Sequence, residues 1–208
     1  MIGYGTVVGS GEKFGAYVAP WVVAHGGPML AKLDQPSIGI GYNQILDHFR
    51  YQKLDAVILL HDDLEITDPE AEAKFLTALT DPDVALVGVA GGKGTDSLQW
   101  WNSEKAGHQM TDSGLLDFGP RTGDVAFIEG SIMVFSPWAV EHLRFDERYP
   151  GFSAGYDDIC LHALEAGKRV VVADVDTHHH STVGWKSPEI EARFKATEEI
   201  FRQKWGIR

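Results

Sequence analysis

The chain is 208 residues long and 44% hydrophobic, with a single cysteine and a formal net charge of −12. It is long enough to bury a core of its own, so one domain is expected; Cys160 alone excludes an internal disulfide framework and fits a reducing compartment. The acid is spread along the chain, which argues against a nucleic-acid binder, and no apolar run approaches the roughly 18 residues of a membrane span. The start, Met1-Ile2-Gly3-Tyr4-Gly5, lacks the basic and apolar stretches of a signal peptide, so a cytoplasmic protein is the expectation.

In chain order, residues 2–9 (IGYGTVVG) read as a strand and residues 12–25 as a helix broken near Pro20. Residues 38–50 contain a helix with Ile45, Leu46 and Phe49 on one side. Residues 55–60 form a strand, apolar from Ala56 to Leu60, of the kind covered on both faces. Asp68 caps and Pro69 opens a helix over 69–79 that turns Ala71, Phe75, Leu76 and Leu79 inward. Residues 84–90 (VALVGVA) are a second buried strand. A long glycine-rich polar stretch follows over 91–123, with Trp100-Trp101 inside it, a length usual for functional loops. Residues 125–135 (VAFIEGSIMVF) return to strand, 136–143 make a short Ser-Pro helix, and 158–166 form a helix stopped by Gly167. Residues 169–173 (RVVVA) are another strand, followed by His178-His179-His180. A helix over 188–205 closes the chain with Ile190, Phe194, Phe201 and Trp205 on its apolar face. Strands alternating with helices imply an α/β fold with a mostly parallel central sheet, and such sheets bind ligands at the carboxyl ends of their strands.

Three clusters carry chemistry. His61-Asp62-Asp63 stands where the strand over 55–60 ends, and two carboxylates with an imidazole can hold a hard divalent cation. Equally, they can be the polar loop of a finished strand. His178-His179-His180 also follows a strand; if that segment is extended, His178 and His180 face one way and His179 the other. An imidazole there could complete the site begun by Asp63. Asp157 and Asp158 open a helix, where one acid suffices as a cap and the other is free to act as a general base. Trp100 and Trp101 could stack on a sugar or base, or anchor their loop. The turn Gly91-Gly92-Lys93-Gly94-Thr95 lacks P-loop spacing, and Gly3-x-Gly5 does not extend into a dinucleotide fingerprint.

Four segments, in this order, resemble a GT-A-type, family 2-like glycosyltransferase. They are Ser37 to Gln44, Val57 to Asp63, Glu129 to Phe135 with Phe145-Asp146-Glu147, and Gly155 to Gly167. The likeness spans roughly residues 2–185 and is nearest to small glycosyltransferase-like domains of the streptomycin-biosynthesis type, whose metal motif often reads H-x-D, as His61-Asp62-Asp63 does. The resemblance implies a GT-A-like nucleotide-sugar-binding fold in one domain over 1–208: a donor half over 1–90, an acceptor and catalytic half over 91–185, and a terminal helix over 186–208. It implies Mn²⁺ or Mg²⁺ held by Asp63 and His61 with His178 or His180, and a nucleotide-sugar donor facing Asn43, Asp62 and Asp63. It further implies a glycan, lipid-linked or protein acceptor near Trp100, Trp101 and Glu129, which a second copy of the chain could help to bind. The base lies in the region of Asp157 and Asp158, but an ungapped match puts Tyr156 where the family's first acid stands. The expected activity is an inverting sugar transfer. Its rivals are a non-catalytic sugar-nucleotide-binding or glycan-binding domain, favoured by Tyr156, and a metal-dependent phosphohydrolase.

Overall fold

The structure, a computed structural model, describes residues 1–94, 99, 102–150, 155–181 and 188–206, with Ile190 as backbone only. The expectations for Trp100, Trp101 and the Ile190 side chain fall outside the described residues. β1 (Ile2–Val8) leads into α1 (Gly11–Lys13), whose N-cap Ser10 accepts from the Lys13 N–H at 3.3 Å. The helix continues through a π turn (Phe14–Val18) into α2 (Ala19–His25). The break expected near Pro20 is this wider turn. Proline has no N–H to donate and its ring crowds the carbonyl four residues back, and the Ala19 N–H bonds to the Phe14 carbonyl instead.

β2 (Met29–Leu33), α3 (Ile38–Phe49), β3 (Ala56–Leu60), β4 (Leu64–Ile66) and α4 (Ala71–Ala78) follow. At the entry to α4 the Asp68 carboxylate accepts from the Glu70 N–H at 2.9 Å. The apolar run over 84–90 divides into β5 (Val84–Gly88) and β6 (Ala90–Gly92). The stretch expected as one long loop holds β7 (Lys105–Thr111), β8 (Gly114–Asp117) and β9 (Gly123–Asp124). β7 and β8 pair as a hairpin around Asp112-Ser113. All of β8 is exposed, so this hairpin carries little of the apolar alternation that announces a strand in sequence.

β10 (Phe127–Ile128) and β11 (Ile132–Phe135) replace the single strand expected over 125–135. The break falls at Gly130, whose φ of 97° suits glycine. α5 (Pro137–His142), α6 (Gly155–Glu165), β12 (Arg169–Val172), β13 (Thr177–His179) and α7 (Pro188–Trp205) complete the chain.

Seven strands form the main sheet in the order β2-β1-β3-β11-β5-β12-β9. β2, β1, β3, β5 and β12 run the same way and β11 and β9 oppose them, so the sheet is mostly parallel. Strict alternation fills both faces. In β3, Val57 and Leu59 pack with Tyr42, Ile45, Leu46 and Phe49 of α3, while Ala56, Ile58 and Leu60 pack with Val18, Val22 and Phe75 on the other side. Each such buried aliphatic or aromatic side chain stabilises the fold by about 1.5–3 kcal/mol. A smaller sheet, β10-β6-β7-β13-β4 with β8 on β7, lies across the carboxyl ends of the main strands, because β13 pairs with β4, which follows directly from the end of β3.

Candidate functional site

The parallel pairing of β1 with β3 brings two strand ends together. One Asp62 carboxylate oxygen accepts from the backbone N–H groups of Gly9 and Ser10, at 2.7 and 2.6 Å, and so ties the loop after β1 to the turn after β3. This is the position of the expected donor-binding Asp62, with one oxygen occupied by backbone. His61 is fixed from behind: its N–H donates to the Ser131 carbonyl at the start of β11.

Asp63 is the centre of the site. Its Oδ1 lies 3.2 Å from His179 Nε2 and 4.0 Å from His61 Nδ1, and its Oδ2 accepts from the Lys13 ammonium at 3.0 Å. Ligand atoms of His61, Asp63 and His179 all lie within 4.8 Å of one another. His179 Nδ1 is in turn 3.8 Å from Glu129 Oε1. Lys13 reaches the site from α1 and also donates to the His180 carbonyl at 3.0 Å.

The imidazole beside Asp63 therefore belongs to His179, and the sequence expectation of His178 or His180 is corrected. The reason is the pleat. β13 is an extended strand, so His179 faces Asp63 while His178 and His180 face the opposite side. There they meet Glu65 and Asp112, at 2.9 Å (His180 Nε2 to Glu65) and 3.1 Å (His178 Nε2 to Asp112).

The charges of the site are interlocked. Burial alone raises the Asp63 carboxyl, but the hydrogen bond and charge of His179 and the Lys13 ammonium outweigh it and hold the group well below the usual carboxylate range. Burial, helped by the neighbouring His179, lowers the His61 imidazole against the pull of Glu129, Asp63 and Asp62. For His179, burial also works against charge, but its bond to Asp63 and the charges of Glu129 and Asp63 win and raise it. A neutral His61 thus stands beside a readily protonated His179.

Tyr156, from the start of α6, lies across Gly130; a Cβ there would come within 2.3 Å of the tyrosine ring. Its hydroxyl is 2.6 Å from His61 Nε2. The residue at the place of the first acid therefore orients the His61 imidazole. Burial raises this phenol far above its ordinary value, so it stays protonated.

The next two residues differ sharply. Asp158 is fully buried and saturated: it accepts from the Tyr149 hydroxyl at 3.0 Å, the Lys204 ammonium at 2.9 Å and the Trp205 indole N–H at 2.8 Å. It is the anchor of α7. Asp157 is 6% exposed, and its Oδ1 has no hydrogen-bond partner. Burial, and next the charge of Asp158, push its carboxyl up to about 8.

Asn43 does not face an open nucleotide surface. Its amide N–H groups donate to the Phe145 carbonyl and Glu147 Oε1, at 3.0 and 2.9 Å, and its oxygen accepts from the Phe145 N–H at 2.8 Å. Both donors are taken, so the side chain acts as a tether between α3 and the FDE turn. Glu129 is near the site as expected; its other oxygen accepts from the Ser131 N–H at 2.9 Å. Lys13 was not anticipated, and nothing in the local sequence pattern distinguishes it from any helix-surface lysine.

No family model matches the sequence. The streptomycin biosynthesis protein StrF of Streptomyces griseus is 32% identical over 189 residues, which cover 87% of this chain and 67% of that protein. Among solved structures, GalNAc-T7 with UDP, GalNAc and Mn²⁺ matches with a TM-score of 0.60 at 7% identity, over 95% of this chain and 47% of that one. The mannosyltransferase PcManGT of Pyrobaculum calidifontis, in complex with GDP-Man and Mn²⁺, matches with a TM-score of 0.56 at 11% identity, over 89% and 58%. A197 from STIV matches with a TM-score of 0.54 at 11% identity, over 86% and 85%. This chain thus spans about half the length of the GalNAc-T7 chain. At these identities the likeness is one of fold: the GT-A fold that the sequence resemblance implies.

Proposed function

This chain belongs to the family of the streptomycin-biosynthesis protein StrF, and on that premise we propose that it is a metal-dependent glycosyltransferase. It moves a hexosyl or related group from a nucleotide sugar to an acceptor hydroxyl of a glycan, a lipid-linked sugar or a protein, in the cytoplasm, with inversion at the anomeric carbon. The observation that carries this reading is the convergence of His61, Asp63 and His179 at the carboxyl end of β3 in a GT-A fold.

Two imidazoles and a carboxylate suit Mn²⁺ better than the harder Mg²⁺. Held there, a divalent cation supplies the charge that stabilises a leaving diphosphate, which a chain at −12 does not offer from its surface field. The residues around it have separate tasks. With its Nε2–H given to Tyr156, His61 turns the lone pair of Nδ1 toward Asp63. Lys13 neutralises Asp63 until that carboxylate is taken, and then its ammonium is free for a phosphate oxygen. Asp62 fixes the loop at Gly9-Ser10 along which the donor lies. Asp157 accepts the proton of the acceptor hydroxyl as that oxygen attacks, a role that suits a carboxyl poised near 8. Glu129 lines the acceptor side.

One feature favours a second reading, a domain that binds a sugar nucleotide without transferring it: Tyr156 stands at the first acid's position and its hydroxyl is occupied by His61. Melting curves with UDP, GDP, dTDP and CDP, each with Mn²⁺, Mg²⁺ or EDTA, test the main proposal. Ligand at a hundred times Kd adds about 2.7 kcal/mol, roughly 5–11 °C for a chain of this size. A shift for one nucleotide that disappears with EDTA is the expected result. No shift with any nucleotide overturns the reading, and binding without transfer to any acceptor leaves the second one standing.

A further inference from the structure

We infer that the face of β13 opposite Asp63 is a second divalent-metal site, separate from the donor site and built for Zn²⁺ by His178, His180, Glu65 and Asp112.

The site follows from register. His178 is paired with Glu65 of β4 on one side and with Met110 of β7 on the other. Paired residues share a face, and His180 lies two positions on, so both imidazoles and Glu65 point together, away from His179. Asp112, at the tip of the β7–β8 hairpin, closes the group. Its Oδ1 is 3.1 Å from His178 Nε2 and 3.5 Å from His180 Nδ1. The opposite edge of the His180 ring meets Glu65 at 2.9 Å. Ligand atoms of Glu65, His178 and His180 lie within 4.8 Å of one another.

Three features distinguish this cluster from a polar rim. Ligand atoms held about 2.0–2.2 Å from a tetrahedral Zn²⁺ stand roughly 3.3–3.6 Å apart, and the imidazole-to-Asp112 spacings of 3.1 and 3.5 Å fall just below and within that range. The rings are also packed together: His180 is stacked between Tyr17 (3.8 Å, 8°) and His178 (3.8 Å, 26°), so that a turn of one imidazole about its own axis brings both ring nitrogens to a shared ion. Finally, among the described residues neither Glu65 nor Asp112 has a lysine or arginine partner, so a dication matches two carboxylate charges that histidines alone now face. One carboxylate ligates together with the imidazoles, and the other holds the outer N–H of His180, the arrangement that fixes a zinc-bound histidine. Imidazole nitrogen in the set selects Zn²⁺ over Mg²⁺ or Ca²⁺. The bound ion would clasp the hairpin tip to β4 and β13.

The test is the Zn²⁺ stoichiometry of tag-free, EDTA-stripped protein titrated with Zn²⁺ alone against a chromophoric chelator. Asp63→Asn removes the donor site's central ligand, and this variant should still bind one Zn²⁺. Adding Glu65→Gln and Asp112→Asn to it should abolish that binding; both are half-exposed surface side chains with isosteric replacements, so the fold is kept. In an otherwise native chain, Glu65→Gln/Asp112→Asn should keep the Mn²⁺-dependent nucleotide shift. Failure of Asp63→Asn to bind Zn²⁺, or full Zn²⁺ binding by the triple variant, overturns the proposal. Neither result depends on whether the chain transfers sugar.

Discussion

Asp157 is a buried carboxylate whose Oδ1 has no hydrogen-bond partner, and replacing it by asparagine gives a result with a definite sign. The unfolded carboxyl titrates near 3.8 and the folded one near 8. Between those values the native state binds more protons than the unfolded state, so stability falls as pH rises from about 4 to about 8 and is level above that. At pH 7 the difference is about three pH units, and at about 1.4 kcal/mol each the unmet ionisation costs about 4 kcal/mol. Asparagine removes this cost but leaves an amide N–H without an acceptor, which costs about 1–3 kcal/mol. Asp157→Asn should therefore be more stable than the native chain at pH 7.5 by about 1–3 kcal/mol, or roughly 2–12 °C in Tm. Urea denaturation of both proteins from pH 5 to pH 8.5 reads the effect. The amide's own cost does not vary with pH, so the slope of the difference isolates the carboxyl. The same substitution should abolish sugar transfer, because a stable chain without its base has lost only chemistry. A stability difference that is flat across this range would refute the reasoning, since the carboxyl would then be ionised and satisfied in the fold.

Asp158→Ala should behave in the opposite way, losing about 2–5 kcal/mol in urea denaturation because the Tyr149 hydroxyl and Trp205 indole N–H lose their acceptor, Lys204 keeps only Asp146, and α7 loses its anchor. Asp63→Asn should lower stability in urea denaturation by about 1–3 kcal/mol, because Lys13 and His179 lose the charge that holds this carboxyl below its usual range, and it should eliminate the Mn²⁺-dependent nucleotide shift; a retained shift would place the metal elsewhere. Gly130→Ala should destabilise by at least about 1–3 kcal/mol, since φ is 97° and the new Cβ would meet the Tyr156 ring at 2.3 Å. Its near-ultraviolet circular dichroism should change with Tyr156, and an unaltered spectrum and midpoint would contradict the packing described.

The main sheet was legible because its strands are buried on both faces and read as continuous apolar runs, as in AVILL and VALVG. The smaller sheet was not. β7, β8 and β13 carry Lys105, His108, Gln109, Asp117 and His178, and they owe their extended form to pairing with distant segments, which no local window reports. That gap explains the histidine. The alternation of residues 178–180 was readable, but which face meets Asp63 depends on β13 lying beside β4, a contact made by residues more than a hundred positions apart. Asn43 shows the converse. A polar residue near a nucleotide-like motif looks free in sequence, and only the fold reveals that Phe145 and Glu147 use all its donors. The pair at 157–158 was legible as two acids at a helix start, expected as a cap and a base, but not which of them the fold would bind. What separated them was α7, arriving from residues 204 and 205 to satisfy Asp158 while Asp157 Oδ1 is left without a partner.

The first helix joins these observations. Lys13 bonds both Asp63 and the His180 carbonyl, and Tyr17 stacks on the His180 ring. One side chain from either flank of the π turn's first residues thus touches each of the two clusters flanking β13. A π turn is a low-propensity conformation that persists where tertiary contacts outweigh its cost, and Pro20 makes the regular alternative poorer still. Under the proposed function, a cation taking Asp63 would cost Lys13 its ammonium–carboxylate pair, and the helix start would keep the His180 carbonyl and the Tyr17 stack. A second ion on His178 and His180 would hold that remaining contact in place. The proposed donor site could then exchange its cation and nucleotide while the wall behind it stayed fixed, which is a physical reason for three consecutive histidines in and just after one short strand.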